Sequence, residues 1–163
     1  VRLVEAASGK LTRTLEGHSG PVTALAFSAD GSQAYSGSKD KTLRVWNTAD
    51  GKQLKQVDTP AEIAALALQK AGAEVATGGS DNIILLWNAE SGEMLRELKG
   101  HGQPVTSLVA VNDAQLLSGS LDGTVRHWQS ADGKALRQLN HGGPVSGVAA
   151  SPDGARFASA SSN

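Results

Sequence analysis

The chain contains no cysteine. Disulfides and thiolate metal sites are therefore excluded, while the compartment stays open, because many exported proteins also lack cysteine. Aromatic residues make up only 4% and there is one methionine, so any core must be built from small and aliphatic side chains. An excess of one charge is missing too: 15 Lys and Arg stand against 16 Asp and Glu. No basic block or stripe exists to track a phosphate backbone, which argues against a nucleic-acid partner. Acidic tails and polybasic patches are also absent, so a membrane surface is not an expected partner. The longest apolar run, Ile63 to Leu68, is far too short to span a bilayer, and no signal-peptide pattern opens the chain. The first residue is Val1, and Val1-Arg2-Leu3-Val4 already reads as strand. The start is thus expected to be a cut or a processing boundary rather than a natural domain beginning.

What is present is a beat. Trp46, Trp87 and Trp128 stand 41 residues apart, and the surrounding residues repeat with them. Thr42-Leu43-Arg44-Val45-Trp46-Asn47 is matched by Asn82-Ile83-Ile84-Leu85-Leu86-Trp87-Asn88 and by Gly123-Thr124-Val125-Arg126-His127-Trp128-Gln129. Small-residue turns precede each: Ser36-Gly37-Ser38-Lys39-Asp40, Thr77-Gly78-Gly79-Ser80-Asp81 and Ser118-Gly119-Ser120-Leu121-Asp122. A period of this length implies one structural unit stacked repeatedly.

Within each unit, short alternating segments are separated by hairpin signals, which predicts antiparallel sheet. Val22–Phe27 runs to the tight-turn pair Asp30-Gly31, then come Gln33–Ser36, Thr42–Trp46 and, after Asp50-Gly51, Lys52–Val57. The four-strand pattern recurs from Ile63 and from Val105. An isolated four-stranded sheet would leave a face uncovered, so each unit needs its neighbours. No linker or low-complexity tract interrupts the chain, and a single domain over 1–163 is expected.

These residues resemble the tryptophan–aspartate (WD) repeat β-propeller family. Gly17-His18 and Gly100-His101 match the Gly-His that opens a repeat, and Asn140-His141 matches with Gly replaced. The closing Trp-Asp is relaxed to Trp46-Asn47, Trp87-Asn88 and Trp128-Gln129. The resemblance implies an all-β propeller of four-stranded antiparallel blades, and hydrogen-bonded sets of His, Ser or Thr, Asp and Trp. By position these sets are His18, Ser36, Asp40 and Trp46; Thr77, Asp81 and Trp87; His101, Ser118, Asp122 and Trp128; and His141 with Ser159, where Asn163 takes the aspartate position. Thr59-Pro60 replaces Gly-His in the second unit, which is expected to be less firmly tied.

Aligning Gly9 with Gly51, Gly92 and Gly133 puts Val4 at the Trp position. Complete blades are then expected over about 17–58, 59–99 and 100–140, with a fourth shared between 1–16 and 141–163. That is four blades' worth per chain. Two closures satisfy it, a four-bladed monomeric ring or an eight-bladed ring of two chains head to tail. Neighbouring blades would be turned by about 90° in the first and about 45° in the second. Packed sheets normally stay within about 30° of one another, so the homodimer is favoured. Val1, Leu3, Val4, Arg156, Phe157 and Ser159 would form its self-assembly edges.

No catalytic residue or metal ligand set is proposed. His18, His101 and His141 occupy the repeating slot, and His127 lacks partners at ligand spacing, so it is expected to face outward from a strand. Ser36-Gly37-Ser38-Lys39 and Ser80-Asp81-Asn82 imitate fragments of penicillin-binding motifs without the Lys-Thr-Gly that accompanies them. No nucleotide fingerprint or calcium loop is present, and no cofactor is expected.

The family resemblance implies instead a rigid binding platform for a protein partner. Its top face, made by the blade-joining loops and the turns between second and third strands, would carry Ser19, Pro21, Lys39, Glu62, Ser80, Gln103, Leu121 and Ser162. Leu121, an apolar tip on a turn, is the most suggestive anchor. Two other functions are weighed: an engineered or excised propeller fragment without a ligand of its own, and a regulatory propeller segment of a larger enzyme.

Overall fold

The computed structural model describes residues 1–162; Asn163, expected at the aspartate position of the last set, lies outside the described residues. Sixteen strands follow in chain order: β1 (Arg2–Val4), β2 (Leu11–Thr14), β3 (Val22–Phe27), β4 (Gln33–Ser38), β5 (Thr42–Asn47), β6 (Gln53–Asp58), β7 (Ile63–Gln69), β8 (Glu74–Gly79), β9 (Ile84–Asn88) and β10 (Met94–Leu98). After these come β11 (Val105–Asn112), β12 (Gln115–Ser120), β13 (Thr124–Gln129), β14 (Ala135–Asn140), β15 (Val145–Ala150) and β16 (Phe157–Ser161). Three complete antiparallel sheets form from consecutive strands, β3 to β6, β7 to β10 and β11 to β14. The chain ends make two separate two-stranded sheets, β1-β2 and β15-β16. Among the described residues these two half-blades are not hydrogen-bonded to each other, so they remain two separate sheets within the chain.

The core lies in the seams between sheets. Ile63 and Leu66 of β7 pack with Tyr35, Leu43 and Val45 of the first complete blade, whereas Ala65 and Ala67 pack with Val105 and Leu108 of the third. Successive residues of a strand point to opposite faces, so one strand serves two seams. Strands β4, β8 and β12 are buried over all but their first residue, and their small side chains let the sheets approach. A Cβ added at Gly37, Gly78 or Gly119 would stand 2.4, 2.7 and 2.6 Å from a methyl of Ile63, Val105 and Val145, each on the next blade. The repeated glycine is therefore a contact point between sheets.

Each first strand carries a bulge after its opening residue, between Val22 and Ala24, Ile63 and Ala65, Val105 and Ser107, and Val145 and Gly147. A bulge re-aims the extra side chain. Thr106 uses this to donate to Val145 O across the seam at 2.6 Å, and Thr23 donates to Ile63 O in the same way. Ala64 occupies the equivalent place in the second blade and has no hydroxyl. The seam between the second and third blades is tied instead at its other end. There the buried Gln69 donates from Nε2 to Asn112 O and Gln115 O, both at 3.0 Å, and accepts from Ser130 Oγ at 2.8 Å.

Candidate functional site

Strand register, with the loop that leads into each first strand, builds the polar sets, two of which are complete among the described residues. In the first complete blade, β4 and β5 pair with Ala34 opposite Trp46, which brings the indole to the hydroxyl of Ser36. Trp46 Nε1 donates to Ser36 Oγ at 2.8 Å, His18 Nε2 lies 2.7 Å from the same oxygen, and His18 Nδ1 lies 2.8 Å from Asp40 Oδ2. The third blade repeats this with Trp128, Ser118, His101 and Asp122 at 2.7, 2.7 and 2.8 Å. A single proton order satisfies every group: indole N–H to hydroxyl, hydroxyl to imidazole Nε2, and Nδ1–H to carboxylate.

Two residues outside the expected sets complete them. Thr42 Oγ1 and Thr124 Oγ1 each donate to the aspartate Oδ1 at 2.7 Å, while Ser19 N–H and Gly102 N–H donate to Oδ2. A polar β-branched residue two places after the aspartate was the available signal. Burial pushes the carboxyls of Asp40 and Asp122 upward, but these hydrogen bonds outweigh it and hold both well below the usual carboxylate range. Burial lowers the His101 pKa, with Asp122 opposing it, in keeping with a neutral ring.

The second blade differs in its chemistry. Trp87 Nε1 still donates to Thr77 Oγ1 at 2.8 Å. Asp81 does not join them; Ile83 N–H donates to its Oδ1 at 3.3 Å, and Ile83 stands where the other blades have Thr42 and Thr124. Thr59 fills the histidine slot and turns its hydroxyl onto Ala61 O. A water-sized space of about 10 Å³ remains among Thr59, Thr77, Asp81 and their neighbours. In the terminal half-blade His141 Nε2 lies 2.6 Å from Ser159 Oγ. His127 does not face freely outward as expected: it is half-buried, and its Nε2 lies 3.1 Å from Gln115 Oε1, because neighbouring strands bring the two side chains together.

Ser19, Pro21, Lys39, Glu62, Ser80, Gln103, Leu121 and Ser162 are all exposed. Backbone hydrogen bonds place several of them side by side within each blade. Lys39 N–H donates to Pro21 O, Ser80 N–H to Glu62 O, Leu121 N–H to Pro104 O and Ser162 N–H to Pro144 O. Each blade thus presents one loop residue and one turn residue at the same end. Among the described residues, no group of three or more His, Asp or Glu side chains is arranged to hold a metal ion. Among the same residues, no helix is long and apolar enough to cross a membrane.

Comparison with known proteins gives the same architecture. The WD domain, G-beta repeat, pattern matches residues 9–47, 92–129 and 133–163. The first two segments contain the complete sets of His18 and His101, and the third contains His141 and Ser159. The vegetative incompatibility protein HET-E-1 of Podospora anserina is 51% identical over 51 residues, 31% of this chain and 4% of that protein. The small ribosomal subunit protein RACK1y of Oryza sativa subsp. japonica is 48% identical over 54 residues, 33% of this chain and 16% of its own length. Among solved structures, U3-55K and the RRP9 WD40 repeats each superimpose with a TM-score of 0.79 and 27% identity, covering 83% of this chain and 44% of theirs. The chain therefore spans less than half the length of the solved propellers it matches. With the repeat pattern matched over most of its residues and blades built as in solved WD40 structures, this chain belongs to the WD-repeat family.

Proposed function

We propose that this chain is a non-catalytic protein–protein interaction scaffold that binds through the loop-and-turn end of its blades. The observation that carries the reading is the pairing of exposed residues there, such as Lys39 with Pro21 and Ser80 with Glu62, whose identities change from blade to blade. The shared residues sit in the buried sets, and the variable ones face solvent, as a specific surface requires. RACK1, by its name a small ribosomal subunit protein, is a relative that works within a larger assembly, and the same kind of role is inferred for this chain. Leu121, 40% exposed at a turn tip, is the proposed anchor. Partners captured by the 163-residue chain under stringent washing are expected to be lost with Leu121→Asp; retention of every partner by that variant removes Leu121 from the surface.

The 163-residue polypeptide is also inferred to associate head to tail with a second copy. Support comes from side chains exposed on one half of a seam whose counterparts elsewhere are buried. Leu25 is 58% exposed, whereas Leu66 and Leu108 at the equivalent positions are 9% and 8%. Leu139 is 43% exposed, whereas Leu15 and Leu98 are 2% and 1%. Val4 and Phe27 are exposed too, while Gly147, Ala149, Ala158 and Ala160 make a shallow, small-residue face on β15-β16. In the head-to-tail arrangement β1 of one copy pairs with β16 of the other, Val4 covers Leu139, and Leu25 and Phe27 cover the small-residue face. Light scattering is expected to give twice the 16.7 kDa chain mass; a single-chain mass sinks the arrangement.

A further inference from the structure

The three seams that follow the first, second and third complete blades are finished differently at the end opposite Leu121. Between the second and third blades, Gln69 reaches across and is held by Asn112 O, Gln115 O and Ser130 Oγ. Between the third blade and β15, Val111 packs against Gly154 and the neighbouring apolar cluster. Between the first and second blades Lys55 reaches across at the margin to the Glu90 backbone carbonyl, but among the described residues no side chain crosses at the place that Gln69 fills next door. The repeat places Ser28 where Gln69 stands and Ala89 where Ser130 stands. Ser28 is too short to cross, and its hydroxyl is engaged with Asp30 and the Gln33 backbone of its own turn. Ala89 has no hydroxyl to offer.

The open seam is a hollow of about 430 Å³ walled by Gln33, Tyr35, Ala73, Asn88, Ala89 and Glu90. It shares Gln33, Tyr35 and Gly72 with a second hollow of about 370 Å³ that extends past Ala29 and Asp30. Together they make a groove within the size range of ordinary binding sites. Its walls carry two carboxylates, Asp30 and Glu90, and no cationic side chain. The Lys55 ammonium binds the Glu90 backbone carbonyl at the outer margin and forms no ion pair with either carboxylate. The Asp30 carboxylate is charged at any physiological pH, since hydrogen bonds from Ser28 and Ser32 lower its pKa to about 2.

We propose that this groove is a docking site for an extended segment of a protein partner that presents a lysine or arginine side chain between Asp30 and Glu90. The plugged seam next to it shows what the position accepts, a hydrogen-bonding side chain on an extended strand entering from the turn end. Here the walls offer acceptors and negative charge, so a cationic donor replaces the carboxamide. The inference rests on the reading of the chain as an interaction scaffold, but it uses the opposite face from Leu121.

The test uses the isotopically labelled 163-residue chain and a fluorescent nonapeptide of Gly, Ser and Ala with one central arginine, together with twins carrying glutamate or norleucine instead. The arginine peptide is expected to shift the backbone amide signals of Gln33, Tyr35, Ala73 and Ala89 and to bind at least fivefold more tightly than either twin. The double variant Ser28→Gln with Ala89→Ser transplants the plug of the neighbouring seam and should weaken binding at least fivefold. Should that variant not fold, Glu90→Gln on the exposed turn is expected to weaken binding in the same direction. Equal binding of all three peptides, absence of shifts at those amides, or full binding by a folded plugged variant overturns the proposal. Leu121→Asp should leave peptide binding unchanged, so loss of the groove and loss of the Leu121 surface read out separately.

Discussion

His101 and Asp122 show how much a single side chain carries in this fold. The ring is buried, donates from Nδ1 to Asp122 and accepts at Nε2 from Ser118, so each member of the chain from Trp128 to Asp122 depends on the next. Removing one partner strands a buried polar group, at a cost of about 1–3 kcal/mol. Asp40→Ala, which strands His18 and Thr42, is expected to lower the urea midpoint by a corresponding amount without abolishing any one binding event; an unchanged melting curve refutes the role given to Asp40. The pH dependence follows from the directions of the shifts. His101 has a lowered pKa in the folded chain, so as pH falls through about 6.5 the unfolded state takes up the proton first and stability declines. Asp40 and Asp122 are depressed as well; their contribution is complete above about pH 4 and is lost as pH falls below that. Melting temperature should therefore decrease from pH 7.5 to 5, with a shallower slope in His101→Gln.

At the scale of elements, the blades are alike in hydrogen-bond register and unlike in how they are joined. Thr23 and Thr106 cross their seams from a bulge, while Ala64 cannot, and Gln69 ties that seam from the other end. Gln69→Leu keeps the volume but leaves two backbone carbonyls and the Ser130 hydroxyl without their partner. The expected loss is about 1–3 kcal/mol, measured by urea denaturation, and a loss near zero refutes the clamp. The sheets themselves were readable in advance, because alternating residues and Asp-Gly turns dictate hairpins locally. The clamp was not, since Gln69 has no counterpart at the 41-residue period and its partners Asn112, Gln115 and Ser130 lie more than forty residues away in the chain.

For the whole molecule, the decisive quantity is which apolar faces remain in water. Leu25 and Phe27 are more than half exposed, and a bare face of this kind marks an interaction surface or an aggregation hazard. On the head-to-tail reading, Leu25→Asp with Phe27→Asp places two charges in the new seam, at side chains that are more than half exposed in the single chain. The double variant is expected to scatter as a single chain with an unchanged fold by circular dichroism. If it keeps the mass of the unmodified polypeptide, the β3 face is not the contact.

Residue spacing by itself determined the blade. The tryptophan period, the turn dipeptides and the placement of His18, Ser36 and Asp40 act within one repeat, where strand register alone brings side chains together. The exposure of the residues proposed for interaction was readable for the same reason, because turn tips such as Lys39 and Leu121 project to solvent wherever the blade stands. Tertiary structure decided what happens between blades. Whether the far end of a seam is clamped by Gln69, packed by Val111 or left open beside Tyr35 depends on side chains from different repeats meeting across packed sheets. That meeting is governed by the close approach at Gly37, Gly78 and Gly119, a packing constraint that no periodicity along the chain records.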